Sequence, residues 1–395
     1  MKKVRVGIFG LNRGSSYIPH FLANDAEIVA LCDKSERWQN AGKNRLDHSV
    51  TVYSDFDSFI EHPMDAVFLA NYFNEHTAYA IKCLEKGIHV LSECTSNATM
   101  AEGVALVRAA EKSNAIYMLA ENYPYMSFNR EIKRICDGGT LGKLLYAEGE
   151  YNHPGNVYSS DTMDVLFDSE KHWRCFLPKT YYVTHSLAPI MYATGAKPVK
   201  VTAFPIYAPV PEDCKRASYT ADNSAVITTL NDDGSVFKFT GCAGFGAHSN
   251  SYRVCGRKGQ IENIRGTDGK IMLRYNEWDT PDGMEETNFY MPEFDDKDAE
   301  LIKKAGHGGG DFIVAKEFLK CIRENKKHPF DVYFATTMAS VAILGHRSVL
   351  NGGMPYDIPD FSKEEDRVKY ENDTETPFWG VDGSAPTIPC CSNPD

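Results

Sequence analysis

Strand and helix patterns alternate through the first third of the chain, and nothing else in the sequence narrows the fold as far. Val4 to Phe9 is a short apolar, β-branched run. A Gly-containing turn follows, then a helical stretch through Phe21-Leu22. Glu27 to Cys32 and Asp65 to Ala70 are further apolar runs. Thr77 to Lys86 carries Ala78, Ile81 and Leu84 on one helical face and stops at Gly87. Ile88 to Leu91 reads as a strand, Ala101 to Lys112 as a helix and Ala115 to Leu119 as a strand. Strands separated by helices pair in parallel through right-handed crossovers, so the pattern predicts a doubly wound, Rossmann-like parallel sheet.

The pattern changes after about Asn122. A helix is expected over Asn129 to Cys136, stopped by Gly138-Gly139. Strand-like segments then cover Leu144 to Tyr151, Val199 to Pro205, Ser224 to Leu230, Ser235 to Thr240 and Lys270 to Tyr275. Asn231-Asp232-Asp233-Gly234 joins two of them as a hairpin turn. Asp311 to Asn325 and Phe334 to Leu350 are later helices. This is an α+β domain on a largely antiparallel open sheet. A chain of 395 residues exceeds one ordinary core. The expected division is a first domain over 1–122, an α+β domain for substrate and assembly over 123–360, and a tail over 361–395.

The net charge of −12 argues against nucleic acid and against an anionic membrane surface, both of which need a basic face. No stretch is long and apolar enough to span a bilayer. The apolar run after Met1 breaks at Gly7, too short for a signal peptide. Eleven scattered cysteines have neither disulfide-framework nor zinc-site spacing, which suits a reducing cytoplasm. No metal is expected from spacing, although His76, His153, His185 and His307 would make a site if they converged.

Between the first strand and helix lies Gly10-Leu11-Asn12-Arg13-Gly14-Ser15. In such a turn glycines let backbone approach a pyrophosphate on the helix N-terminus. Gly10 takes the first fingerprint position, Asn12 the second, as a residue tolerant of positive φ, and Ser15 the third. Asp33 closes the second strand about twenty residues after Gly10, where an acid accepts from ribose hydroxyls and repels a 2′-phosphate. The candidate cofactor is therefore NAD, with NADP kept open by Lys34 and Arg37. Gly10, Asn12, Arg13, Gly14, Ser15, Asp33 and Arg37 form the candidate cofactor set, joined by Asn71, His76, Glu93 and Asn122 at later strand ends.

A Rossmann half, an antiparallel second half and Glu93-Cys94-Thr95 after a strand resemble the glucose–fructose oxidoreductase/inositol dehydrogenase family (Gfo/Idh/MocA) over most of the chain. Dehydrogenases of that family carry Glu-Lys-Pro at this point, and the lysine assists proton transfer. Here Cys94 replaces it, either as a proton-transfer group or as a small buried residue. The NAD-dependent α-N-acetylgalactosaminidases also lack that lysine. The chain is similar to them at Glu121-Asn122-Tyr123-Pro124-Tyr125, Tyr151-Asn152-His153, His172-Trp173-Arg174, Thr180 through Pro189, His307 through Asp311, Asp331-Val332-Tyr333 and Ile358-Pro359-Asp360-Phe361. It departs from them at Asn12, Val183 and Ala188.

That resemblance implies glycoside hydrolysis without net redox: oxidation at the sugar C3, proton removal at C2, elimination of the aglycone, water addition and re-reduction. NAD-dependent glycosidases are exceptions to the usual two-carboxylate mechanism. Tyr151 and His153 lie two apart on a strand and so share a face. Tyr151 is the expected C2 base, with His153 as partner or C3 contact and His185 at a C3 or C4 hydroxyl. Tyr182, Trp173, Arg174 and His307 are the expected substrate contacts; His307 through Asp311 is either a glycine-rich helix entry abutting substrate or a turn with Asp311 as its N-cap. The alternatives are a conventional sugar or cyclitol dehydrogenase and a non-catalytic NAD-binding sensor. The resemblance also implies a homodimer or homotetramer.

Overall fold

The computed structural model describes residues 3–155, 169–208 and 220–392. They form two compact units. The first takes Met1–Tyr125, Lys297–Ala339 and Phe361–Thr374, and the second Met126–Asp296, Ser340–Asp360 and Glu375–Asp395.

The first unit is built on six parallel strands: β1 (Val4–Phe9), β2 (Ala26–Cys32), β3 (Thr51–Tyr53), β4 (Ala66–Leu69), β5 (His89–Ser92) and β6 (Tyr117–Leu119). Their order is β3-β2-β1-β4-β5-β6. The order reverses between β1 and β4, the point where open α/β sheets receive ligands at their carboxyl ends. Val6, Ile8, Leu31, Val67, Phe68, Val90 and Leu91 are almost wholly buried, so these strands read as continuous apolar runs. Helices His76–Glu85 and Met100–Lys112 follow β4 and β5. Thr99 and Glu102 close a capping box at the start of the second.

The later segments of this unit are not where the sequence boundaries put them. Helix Gly310–Glu324 packs on helix Ile18–Ala23, with His20 edge-on to Phe312 at 6.2 Å. The stretch after residue 360 is no tail. Phe361 is buried and Arg367 is only 5% exposed. Arg367 donates to the Phe361 carbonyl and to Glu111 of helix Met100–Lys112 at 2.7 Å each. A charged stretch with a Pro-rich end looks solvated, but pairing its arginine removes the cost of burying it.

Among the described residues the second unit holds nine strands: β7 (Leu144–Asn152), β8 (Pro198–Tyr207), β9 (Asp222–Asn231), β10 (Val236–Thr240), β11 (Ser249–Gly256), β12 (Gly259–Asn263), β13 (Ile271–Tyr275), β14 (Thr287–Tyr290) and β15 (Tyr356–Asp357). Their order is β14-β13-β12-β11-β7-β10-β9-β8-β15, antiparallel throughout except that β7 and β10 run parallel. The β9–β10 hairpin closes as expected, with Gly234 at φ +83° and Asn231 N–H donating to Ser235 at 2.9 Å. Sequence reading missed β11, β12 and β14: β11 and β12 turn only two positions each into the core, and β14 turns none.

Helix Thr184–Thr194 lies on β7 and β11. A Cβ at Gly149 would stand 1.9 Å from the Ser186 carbonyl oxygen, so glycine there is what lets the helix rest on the strand. The end of the chain packs too. Phe378 meets Tyr181 at 5.3 Å, the Pro389 carbonyl meets His346 Nε2 at 2.7 Å, and Ser392 donates to Asp222 through its N–H and hydroxyl. Among the described residues no helix is long and apolar enough to cross a membrane.

Candidate active site

At the β1 turn Gly10 adopts φ +87°, and a Cβ there would stand 2.4 Å from the Ala70 carbonyl. Only glycine fits. Gly14 sits where a Cβ would press on Ile8 at 2.6 Å, and Ser15 is buried. Asn12 does not use the positive φ expected of it. It is exposed in the first helical turn, because Gly10 has already made the bend.

Asp33 lies at the end of β2 and is 8% exposed. Its carboxylate accepts the N–H of Leu11 at 2.7 Å and that of Ser35 at 2.8 Å, clasping the turn. A carboxylate has about four acceptor sites, so this leaves capacity for hydroxyl donors. Arg37 is exposed and stacks over Trp38 at 4.9 Å. At the ends of β4 and β6, Asn71 Oδ1 and Asn122 Oδ1 are buried with no hydrogen-bond partner. Buried acceptors of this kind need a donor. Ribose hydroxyls and a carboxamide supply donors, so these residues fit a nicotinamide dinucleotide. His76 Nδ1 meets the Thr95 carbonyl at 2.8 Å, and burial pushes its pKa down against that bond.

Arg13 is not a free cation for phosphate. Its guanidinium donates to Glu93 at 2.8 Å and to both carboxylate oxygens of Asp311 at 2.8 and 3.1 Å. Asp311 also accepts from Asn122 Nδ2 at 2.7 Å and Tyr17 at 3.2 Å, with His307 Nδ1 at 3.0 Å. Burial pushes the Asp311 carboxyl up, but bonds from His307 and Arg13 hold it well below its ordinary value. The expected N-cap role is not what it plays. The N-cap is Gly309, and Asp311 is instead the hub that orients Asn122, Arg13 and Glu93. No local motif marks such a hub. Beside it, Glu121 is fully buried and accepts the Cys94 thiol at 3.3 Å.

His307 belongs to this first unit and not to the second, as the sequence boundaries had it. It is exposed at φ +53°, with its ring 6.0 Å from Tyr123.

In the second unit Tyr151, His153, Tyr182 and His185 come together. Tyr151 on β7 and His153, the first residue past it, do share a face, with rings stacked at 5.6 Å and 12°. His185, in the first turn of helix Thr184–Thr194, meets Tyr151 edge-on at 5.0 Å, and Tyr182 does so at 5.9 Å. Tyr182 Oη and His185 Nε2 are 3.2 Å apart. Tyr252 on β11 donates to the His185 carbonyl at 2.5 Å, fixing the start of that helix. Tyr151 is 5% and His185 8% exposed, whereas His153 opens to solvent. A fifth ring was missed: His248, just before β11, lies 4.8 Å from His153 and 6.4 Å from Tyr151. Only strand pairing across β7 and β11 brings it here, and no spacing announces that.

His172, Trp173 and Arg174 form a local stack. Trp173 lies against His172 at 5.5 Å, and Arg174 covers it at 4.3 Å. Among the described residues no three His, Cys, Asp or Glu side chains group to hold a metal ion. The centre offers two phenols and three imidazoles, a set suited to moving protons at sugar hydroxyls and carbons.

Residues 4–121 match the oxidoreductase family with its NAD-binding Rossmann fold, and residues 223–367 match the glycosyl hydrolase 109 C-terminal domain. A glycosyl hydrolase family 109 protein of Saccharopolyspora erythraea is 26% identical, the match covering 97% of this chain and 87% of the relative. One from Solibacter usitatus is also 26% identical, covering 91% and 88%. Among solved structures, a levoglucosan dehydrogenase with NADH and levoglucosan has a TM-score of 0.75 at 16% identity, covering 91% of this chain and all of that one. An Agrobacterium radiobacter oxidoreductase with NAD+, L-tartaric acid and magnesium has a TM-score of 0.73 at 12% identity, covering 90% and 98%. The structures bear out the fold. The chain is thus similar to Gfo/Idh/MocA oxidoreductases in its first part and to glycosyl hydrolase family 109 proteins along most of its length.

Proposed function

We propose that this protein is an NAD-dependent glycosidase that cleaves its substrate by transient oxidation at C3. The observation that carries the reading is the convergence of Tyr151, His153, Tyr182 and His185 in one cluster. Bound NAD supplies a hydride acceptor that returns the hydride at the end, so no net redox results. Gly10, Gly14 and Ser15 leave room for its pyrophosphate, Asp33 accepts from its ribose, and Asn71 and Asn122 offer acceptors to its donors. Asn12, Arg13, Arg37, His76 and Glu93 complete that first-unit set, Arg13 and Glu93 by bracing each other.

Tyr151 takes the C2 proton, made acidic once C3 is a ketone. Its burial between histidine rings excludes water from the phenol. His185 and Tyr182, in hydrogen-bond contact, handle the C3 hydroxyl proton. His153, at the open side of the cluster, passes protons outward. Trp173 and Arg174 present a flat stack suited to a sugar face. His307 is proposed as a further substrate contact. Lacking the lysine at Cys94, the site relies on this ring cluster for its acid–base work. The carbon skeleton is activated by the ketone and not by a nucleophile behind C1, so two carboxylates are not needed.

A panel of nitrophenyl glycosides tests this, with aglycone release and NADH absorbance followed together. Release without accumulating NADH is expected. Stoichiometric NADH would make the protein a sugar or cyclitol dehydrogenase, and NAD binding with neither signal would make it a sensor.

A further inference from the structure

His248 has no part in the chemistry above. It is exposed, in the stretch joining β10 to β11. Its Nδ1 stands 2.9 Å from Nδ1 of His153, with the two rings at 71°. Two ring nitrogens at that distance hold one hydrogen between them, one donating and the other accepting. In a neutral imidazole the second nitrogen takes the opposite role from the first. The side on which the shared hydrogen lies therefore decides whether His153 Nε2 presents a proton or a lone pair.

We propose that His248 is a positioning residue that shares the Nδ1 proton of His153 and so switches His153 Nε2 between acceptor and donor. The inference rests on the glycosidase reading. The step balances without any change of electrons. A proton taken up at His153 Nε2 from a bound sugar hydroxyl is matched by the His153 Nδ1 proton crossing to His248 Nδ1. His248, then an imidazolium, passes its Nε2 proton to solvent water, which its exposure allows. The reverse sequence returns a proton to the sugar.

The surroundings suit a relay at the outer edge of the centre. On β7, Tyr151 stacks under His153, while Glu150 lies on the opposite face and is held by Arg265. From the helix side, Tyr182 and His185 face Tyr151. On β11, Ser249 and Asn250 pair with Asn152 and Tyr151, which places His248 beside His153.

The test uses the full chain with NAD, as wild type, His248→Ala and His248→Asn. Asparagine places an amide near the position of Nδ1 that donates or accepts but does not titrate. Imidazole nitrogen NMR across pH should show His153 titrating as one of a coupled pair in the wild type and as a single group in both variants. For aglycone release, kcat of His248→Ala should fall about tenfold, the loss expected when a histidine's orienting partner goes. KM should stay within about twofold, since ground-state binding is untouched. His248→Asn can hold His153 Nδ1 but cannot take up its proton, so most of the loss in kcat should remain along with the simplified pH profile, and full recovery of kcat overturns the proposal. An unaltered kcat and pH profile in His248→Ala overturns the proposal. So does a loss wholly in KM, or a His153 titration indifferent to the substitution. Absence of aglycone release from the wild type sinks the glycosidase reading instead, and the NMR titration then still decides whether the proton is shared.

Discussion

At the scale of single residues, Tyr151 bears the most chemical demand. Its ring is enclosed by His153, His185 and Tyr182, so removing only the hydroxyl should leave the packing intact. Tyr151→Phe is expected to lower aglycone release by about a hundredfold or more, the usual range for a lost general base. NAD affinity, followed by fluorescence of bound NADH, should be unchanged, because the cofactor residues belong to the first unit. Full release by the variant would remove Tyr151 as the base. The sequence already singled out this tyrosine, His153 of the same motif and His185. It did not single out His248, whose place depends on the β7–β11 register.

At the scale of elements, the first unit depends on how a late helix is tied to an early sheet. Helix Gly310–Glu324 enters the sequence some three hundred residues after β1, yet Asp311 takes Arg13, Tyr17, Asn122 and His307. Asp311→Asn keeps the shape and removes the charge. Breaking a buried pair in this way costs about 3 kcal/mol, which a urea melt would read. The pH dependence has a definite sign. The folded carboxyl is held below its ordinary value of 3.8, so its stabilisation is fully present above that pH. The gap between wild type and variant should hold from pH 7 down to about 4 and narrow below it. A gap that widens on acidification would refute the assignment.

At the scale of the whole molecule, acid should weaken both units through buried neutral histidines. Burial pushes His328 and His346 down from 6.5 to about 4, with Lys320 adding to the effect at His328 and the Pro389 carbonyl opposing it at His346. Each is neutral when folded and takes a proton when unfolded. Stability is therefore retained above pH 6.5 and lost as pH falls toward 4. At pH 4.5 each histidine should cost about 2 kcal/mol relative to pH 7, by the conversion of pKa shift to free energy. Replacing either with glutamine should flatten that part of the pH–stability curve, and an unchanged slope would count against it.

What could be read from the chain alone were the features written in local periodicity and in single backbone demands. Apolar runs every few residues determine strands β1, β2 and β4 to β6, Gly10 is required by a bend no other residue makes, and the Tyr151–His153 spacing follows from the two-residue repeat of a strand. The rest is long-range. The return of residues 297–339 and 361–374 to the first unit, the hub at Asp311, the packed end around Phe378 and the meeting of His153 with His248 join positions far apart in the sequence. Such contacts form only once the ordering cost of the whole fold is met, so no local signal encodes them.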